Sequence, residues 1–244
     1  MNKGYVERFA CAVRNWRARQ LFKALRIYCR GAILDVGGWD FYLKVRNDPK
    51  IKFETWTNLE STENQLAKIE NDPRYKTILG DGCKMALRDS SFDTVINIQV
   101  LEHVFEPIQM VKEIGRVLRP NGYAIFLIPG TSVLHMAPEH YYNFTRFWIK
   151  QAVKKANLSI VEFKPIGGLW NTTATHLFRF FFQSLRLEGY STPDVKRNLF
   201  FYLFYPLMVI YAIVNIPINL FLGWGDLTED ANNFLVVAKK STLD

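Results

Sequence analysis

The run Ala32-Ile33-Leu34-Asp35-Val36-Gly37-Gly38-Trp39-Asp40 constrains this chain more than any other stretch. A short apolar segment ends in an acid, and a glycine turn comes at once. In an α/β protein this offers bare backbone at the carboxyl edge of a sheet, where a nucleotide-like ligand can approach. The glycines remove side chains that would hold the ligand off. Asp35 is placed to fix the turn or to accept from the ligand. Many strands end this way for turn reasons alone, so the spacing of the later segments decides the reading.

That spacing is regular. Extended apolar segments recur at 32–36, 53–57, 76–79, 92–98, 122–128, 159–164 and 234–239. Helical segments lie between them, including one at about 107–118 and one at 146–157. Such alternation predicts an α/β fold with a mostly parallel sheet and helices on both faces. At 244 residues the chain is one large domain, or one domain with an elaborated insert. Asn58 lies 23 residues after Asp35, and Asp81 lies 23 residues further on.

The segment Ser91-Phe92-Asp93-Thr94-Val95-Ile96-Asn97-Ile98-Gln99-Val100-Leu101-Glu102-His103-Val104 and the later run EIGRVLRPNGYAIFLIP carry a resemblance. Together they resemble the FDxVxxxxVLEHVxxPxxxxxEIxRVLxPGGxxxxxxP pattern of class I S-adenosylmethionine-dependent methyltransferases. The resemblance covers roughly residues 30–165 plus the final strand. It implies a Rossmann-like methyltransferase sheet and S-adenosylmethionine as cofactor. On the cofactor side it implies Asp35, Gly37, Gly38, Asn58, Asp81, Gly82 and Gln99. Asp81 would face the adenine amino group, Gly82 would leave room for the ring, and Gln99 would line the methionine end. Asp93 is expected to begin its strand, not to touch ligand.

The chain departs from the family in two places. The usual Asp-x-Gly-x-Gly-x-Gly turn has Trp39 and Phe41 at its second and third glycines, and Gly38 is an extra one. The acid that usually grips the ribose hydroxyls is Asn58, with Glu60 two residues on. An amide hydrogen-bonds a diol without charge assistance. Moderate cofactor affinity is therefore expected, and Asn58→Asp is expected to tighten it. A nicotinamide-dependent oxidoreductase is disfavoured, because Gly37-Gly38-Trp39-Asp40-Phe41-Tyr42 is not Gly-x-Gly-x-x-Gly.

Methyl transfer asks mainly for alignment of nucleophile, methyl carbon and leaving sulfur. An oxygen nucleophile also gains from a base, and histidine is best matched to neutral pH. The four histidines are His103, His135, His140 and His176. His103 lies just past the fourth strand at the mouth of the expected site, where its alternative is a structural bond to a loop carbonyl. His135 and His140 lie in PGTSVLHMAPEHYYNFT, which resembles the HxxPxDYYRFT segment of methyltransferases acting on sugars, polysaccharides or related natural products. Here His140 replaces the acid and Asn143 the arginine. His103 and His140 are the candidate catalytic groups, and Thr145 is expected to cap the helix at 146–157. Glu102, His103, His135 and His140 have no diagnostic metal spacing, so no metal is expected.

The net charge is +8, and seven of those charges lie in residues 1–30, where Glu7 alone opposes eight bases. Apolar residues interleave there at helical spacing, so this segment is a basic amphipathic helix. It packs beside the sheet, or it lies on an anionic membrane surface. Nucleic-acid binding is not expected, since no recognition motif accompanies the charge. Three scattered cysteines form neither a zinc pattern nor a disulfide framework and point to a reducing compartment. The first thirty residues lack the apolar run of a secretory signal, and the expected location is cytoplasmic, peripheral on the membrane face.

The domain proper is expected at 31–165 and 233–244, with an insert at 166–232. Within it, 199–225 carries no charged residue. Its length would cross a bilayer, but a single crossing would strand the final strand on the far side. Pro206 and Pro217 are expected to break it. Two readings stand open. One is a helical cap buried against the sheet or a second subunit, giving a homodimer. The other is a shallow helix or bent hairpin in the membrane interface. The expected reaction is O-methylation of a sugar, glycolipid or lipid-linked intermediate. The rival is a non-catalytic cofactor-fold interaction protein at a membrane surface.

Overall fold

A computed structural model describes residues 18–62, 72–187, 189–191 and 195–242. All seven expected strands are present, as β1 (Arg30–Val36), β2 (Lys52–Glu60), β3 (Tyr75–Leu79), β4 (Phe92–Ile98), β5 (Leu118–Pro129), β6 (Leu158–Ile166) and β7 (Asn233–Lys240). They form one sheet in the order β3-β2-β1-β4-β5-β7-β6. Only β7 runs against its neighbours, antiparallel to both β5 and β6. β5 begins earlier than the expected segment 122–128. Leu118 pairs with Phe92, and a register shift then absorbs the turn residues.

Alternation along the strands sorts side chains to two faces. Ile33, Trp56, Ile96, Ile125, Leu235 and Val237 join one buried cluster. Their neighbours Leu34, Val95, Phe126 and Val236 join the other. The first face is covered by α1 (18–28), through Leu21, Ala24 and Leu25, and by α2 (Phe41–Val45). The second is covered by α3 (Pro107–Val117) and α4 (Arg146–Lys155). α3 turns Met110, Val111, Ile114 and Val117 inward at helical spacing, and Pro107 opens it where no N–H partner is needed. Thr145 caps α4 as expected, its hydroxyl accepting from the Trp148 N–H at 3.2 Å. The described part of the basic segment therefore packs against the sheet. Lys3, Arg8, Arg14 and Arg17 lie outside the described residues.

The insert is a pair of helices, α5 (Leu169–Ser184) and α6 (Leu199–Leu222), which pack on each other. Their two ends are tied together. Asp226 accepts from the N–H groups of Gly168, Trp170 and Asn171 at 2.7, 2.8 and 3.1 Å, and so caps α5 from beyond α6. At the other end the Arg197 guanidinium donates to the carbonyls of Gln183 and Ser184.

Two expectations for the insert are corrected. First, α6 runs unbroken through Pro206 and Pro217. Each proline removes one ladder bond, but the turns around it keep theirs, and the side-chain amides of Asn215 and Asn219 bond back to Tyr211 and Asn215 carbonyls at 2.8 Å. Second, α6 is no buried cap on the sheet. Only 6% of its most apolar window is buried, because it touches the rest of the chain mainly through α5.

Burial pulls the Asp226 carboxyl up, but its N–H donors outweigh this and hold it below the usual carboxylate range. A depressed carboxyl stabilises the fold above its unfolded pKa and loses that contribution as pH falls through the folded value. Asp226→Ala is therefore expected to lower stability at pH 7 by about 1–2 kcal/mol, with the deficit shrinking in acid. Thermal melts of both proteins at pH 7 and pH 3 check this.

Candidate functional site

Every cofactor-side candidate sits at the carboxyl edge of β1, β2, β3 or β4, or in the loop just past it. Gly37 has φ +72°, and a Cβ there would meet the Val100 side chain at 2.9 Å. Gly38 is needed for a different reason. A Cβ at that position would collide with the Asp35 carboxylate. The extra glycine thus accommodates a fully buried acid that reaches back under its own turn. Asp35 Oδ1 has no hydrogen-bond partner among the described residues. Burial, and then the Glu60 charge, raise the Asp35 carboxyl well above its ordinary range.

β1 and β2 pair so that Asp35 stands beside Asn58. Asn58 is itself buried, and its amide donates to Glu60 Oε1 at 2.9 Å. The same oxygen accepts the Trp39 N–H at 2.6 Å. Asn58 therefore anchors the acid instead of replacing it, and Glu60, at the last position of β2, is the carboxylate at the edge. Burial raises its pKa, opposed by the Trp39 and Asn58 donors. This geometry reverses the expectation for Asn58→Asp. The variant would set two carboxylates against each other where an amide now donates at 2.9 Å. A thermal midpoint several degrees lower and weaker binding of S-adenosylmethionine are expected, equivalent to about 1–3 kcal/mol. Differential scanning and titration calorimetry read the two effects.

The remaining cofactor-side residues are held locally. Asp81 Oδ1 accepts the Cys83 N–H at 2.7 Å, which forms the turn after β3. Gly82 is buried, and a Cβ there would strike Met110 at 2.5 Å. Gln99 adopts φ +55°, and its amide donates to Asn233 at 2.9 Å and to the Leu127 carbonyl at 3.3 Å. It thereby ties the end of β4 to β5 and β7. Asp93 is structural, accepting from the Ala32 N–H and from Arg119. The structure thus offers a side-chain-free turn at Gly37, an orphaned Asp35 oxygen and an edge carboxylate at Glu60, which fits a ribose-bearing cofactor. An open groove of about 680 Å³ lined by Arg30, Lys52 and Arg119 lies at the opposite edge and takes no part.

Beyond β4 the histidines converge. His103 lies in a short 3-10 turn (Leu101–His103), and His135 and His140 come from the loop after β5. Ring centroids are 5.0 Å apart for His103–His135 and 4.4 Å for His135–His140. Beneath them Glu102 is fully buried with neither carboxylate oxygen hydrogen-bonded among the described residues. Burial pushes its carboxyl up to about 8. The imidazole of His140 is pushed down to about 4, by burial first and then by the neighbouring histidines. In the sequence Glu102 is only one member of a cluster without metal spacing. Its placement depends on bringing His135 alongside from β5, which no local signal records.

The α5–α6 pair rises from the same edge. α5 comes after Ile166, whose partner Asn233 sits beside Pro129 at the carboxyl end of β5. The Ala137 N–H in the histidine loop donates to the Gly189 carbonyl at 3.2 Å, just past α5.

This sheet order, with one reversed strand and a glycine turn after β1, defines a Rossmann-like methyltransferase fold. A family model described as a methyltransferase domain matches residues 45–126. A probable S-adenosylmethionine-dependent methyltransferase of Mycolicibacterium smegmatis is 38% identical over 66 residues, 27% of this chain and 25% of that protein. The mouse (Mus musculus) thiol S-methyltransferase TMT1B is 35% identical over 79 residues, 32% of this chain and 31% of its own. The chain thus spans about a quarter to a third of the length of these relatives. The fold matches a SAM dependent methyltransferase from Archaeoglobus fulgidus with TM-score 0.55 at 13% identity, covering 94% of each chain. The segment 45–126 thus resembles a methyltransferase domain, and these likenesses support the class I S-adenosylmethionine-dependent methyltransferase family. That family's cofactor is S-adenosylmethionine.

Proposed function

We propose that the protein transfers a methyl group from S-adenosylmethionine to a hydroxyl of a sugar, glycolipid or lipid-linked acceptor held at a membrane surface. One observation carries the acceptor reading. The exposed apolar helix α6 and the histidine loop leave the sheet at the same edge. α6 is about 36 Å long and exposes Leu203, Leu207, Ile210 and Ile213. With both ends of α6 tied to α5, and the far end of α5 tied to the histidine loop through Gly189, the pair would lie along a membrane surface. Its lodging in the interface would hold the histidine pocket at the headgroups.

Bound at Gly37, Glu60 and Asp81, S-adenosylmethionine supplies an electrophilic methyl group. The chain's own residues prepare the acceptor. The imidazole of His103 would take the proton of the acceptor hydroxyl and leave its oxygen lone pair to bond the methyl group that the cofactor would supply, the carbon–sulfur electron pair staying on sulfur. Alignment of the three atoms carries much of the acceleration.

The test is transfer of labelled methyl from S-adenosylmethionine to membrane lipid and glycolipid extracts. A thiol belongs in the panel because one relative is named for it. Label in a lipid-linked hydroxyl product supports the reading, and label only in the thiol removes the acceptor class. Asp81→Ala is expected to weaken cofactor binding about tenfold, the loss of one good hydrogen bond. Calorimetric titration checks it, and unchanged affinity would move the adenine site elsewhere. A second reading is a non-catalytic interaction protein, favoured by the Trp39 N–H that already occupies Glu60. The same titration separates the two.

A further inference from the structure

The pocket around Glu102 brings two imidazole rings to one buried carboxyl group. His103 Nδ1 and His135 Nδ1 each bond a backbone carbonyl, that of Glu139 and that of Val133. A carbonyl only accepts, so each Nδ1 carries its ring's proton and each Nε2 presents a lone pair. Both Nε2 atoms face the same carboxylate oxygen, Glu102 Oε1, at 3.8 and 3.9 Å. These separations are too long for a hydrogen bond, so a protonated Glu102 would not satisfy either ring. The carboxylate is fully buried and unpartnered among the described residues. A buried acid with two imidazole acceptors aimed at it costs free energy unless a cation sits among them.

We propose that Glu102, His103 and His135 bind a divalent transition-metal ion of the zinc class. The three ligand atoms lie within 4.8 Å of one another. Ligands about 2.0–2.2 Å from a tetrahedral zinc stand roughly 3.4 Å apart, so each histidine need approach Glu102 Oε1 by only about half an ångström from 3.8 and 3.9 Å, and the two rings must close from within 4.8 Å of each other. Two nitrogens and one carboxylate suit zinc, cobalt, manganese or ferrous iron better than magnesium or calcium. The carbonyl bonds at Nδ1 fix both rings, as outer partners of metal-bound histidines do. His140 stays outside the set because its Nδ1 accepts the His135 N–H at 3.4 Å. Three protein ligands leave a position for an oxygen of the acceptor, and an ion there would make that hydroxyl more acidic. With the ion bound, His103 is a ligand and the hydroxyl proton goes to solvent water. That role rests on the methyltransferase reading, whereas occupancy of the site does not.

The 244-residue chain, stripped with chelator and dialysed, is titrated with zinc and with cobalt, without S-adenosylmethionine. One equivalent is expected, with visible cobalt absorption of a low-coordinate nitrogen–oxygen site. Glu102→Gln and His135→Ala should each weaken binding at least tenfold. His140→Ala should leave it unchanged. Circular dichroism and thermal melts establish that each variant is folded, and the milder His135→Gln replaces any that is not. No binding by the native protein, or binding that survives both ligand substitutions, overturns the proposal. S-adenosylmethionine binding is measured on the same metal-free sample. Cofactor binding without metal binding defeats this inference alone, and metal binding without cofactor binding defeats the methyltransferase reading alone.

Discussion

Replacing Ile210 and Ile213 with lysine is expected to release the protein from anionic vesicles while leaving its thermal midpoint within a degree or two of native. Both isoleucines are 59% exposed, so neither contributes much to the core. In a membrane interface each buried isoleucine contributes about 1.5–3 kcal/mol. Losing two corresponds to roughly a hundredfold or more in partitioning, and the inserted charges add to the loss. Flotation with vesicles of varied anionic content and salt reads the effect. Salt dependence would trace to the bases of residues 1–30, and salt-independent residual binding to α6. Should the double variant float as well as the native protein, α6 is not a membrane element. A dimer interface would then be the reading left for its exposed face.

His103→Ala is expected to lower turnover about a hundredfold with little change in cofactor affinity. His140→Ala should cost less. His140, pushed down to about 4, is neutral near pH 7 but holds a proton weakly, so it serves poorly as a base. Single-turnover rates with saturating S-adenosylmethionine compare the two. A larger loss from His140→Ala would exchange their roles, and near-normal rates in both would leave positioning to carry the reaction.

The sheet was legible because its signals are local. Short apolar runs recurring between helical segments marked the strands, and each of these runs lies within one of β1 to β7. Thr145 was legible as a cap for the same reason. The site was legible as a set of positions but not as a set of bonds. Asn58 stood out by its spacing, yet its role depends on Glu60 two residues on and on the Trp39 N–H from the neighbouring turn. Glu102 lies next to His103 in sequence, but His135 reaches it only through the pairing of β4 with β5. Asp226 caps a helix that begins 57 residues earlier, which no window on the sequence spans. Pro206 and Pro217 misled because a proline's local cost is spread over a helix long enough to keep its remaining bonds.

The central claim is that one sheet edge brings S-adenosylmethionine and a membrane-resident hydroxyl together. Its most direct measurement is transfer of methyl-labelled S-adenosylmethionine to a membrane lipid extract presented in vesicles, with native protein and with the Ile210→Lys, Ile213→Lys variant. The account predicts label in an alkali-stable, hydroxyl-linked lipid product with native protein. It predicts a large loss for the variant on vesicles, with recovery when the same acceptor is dispersed in detergent. Equal transfer by both proteins on vesicles, or binding of S-adenosylmethionine with no label in any lipid fraction, would contradict it.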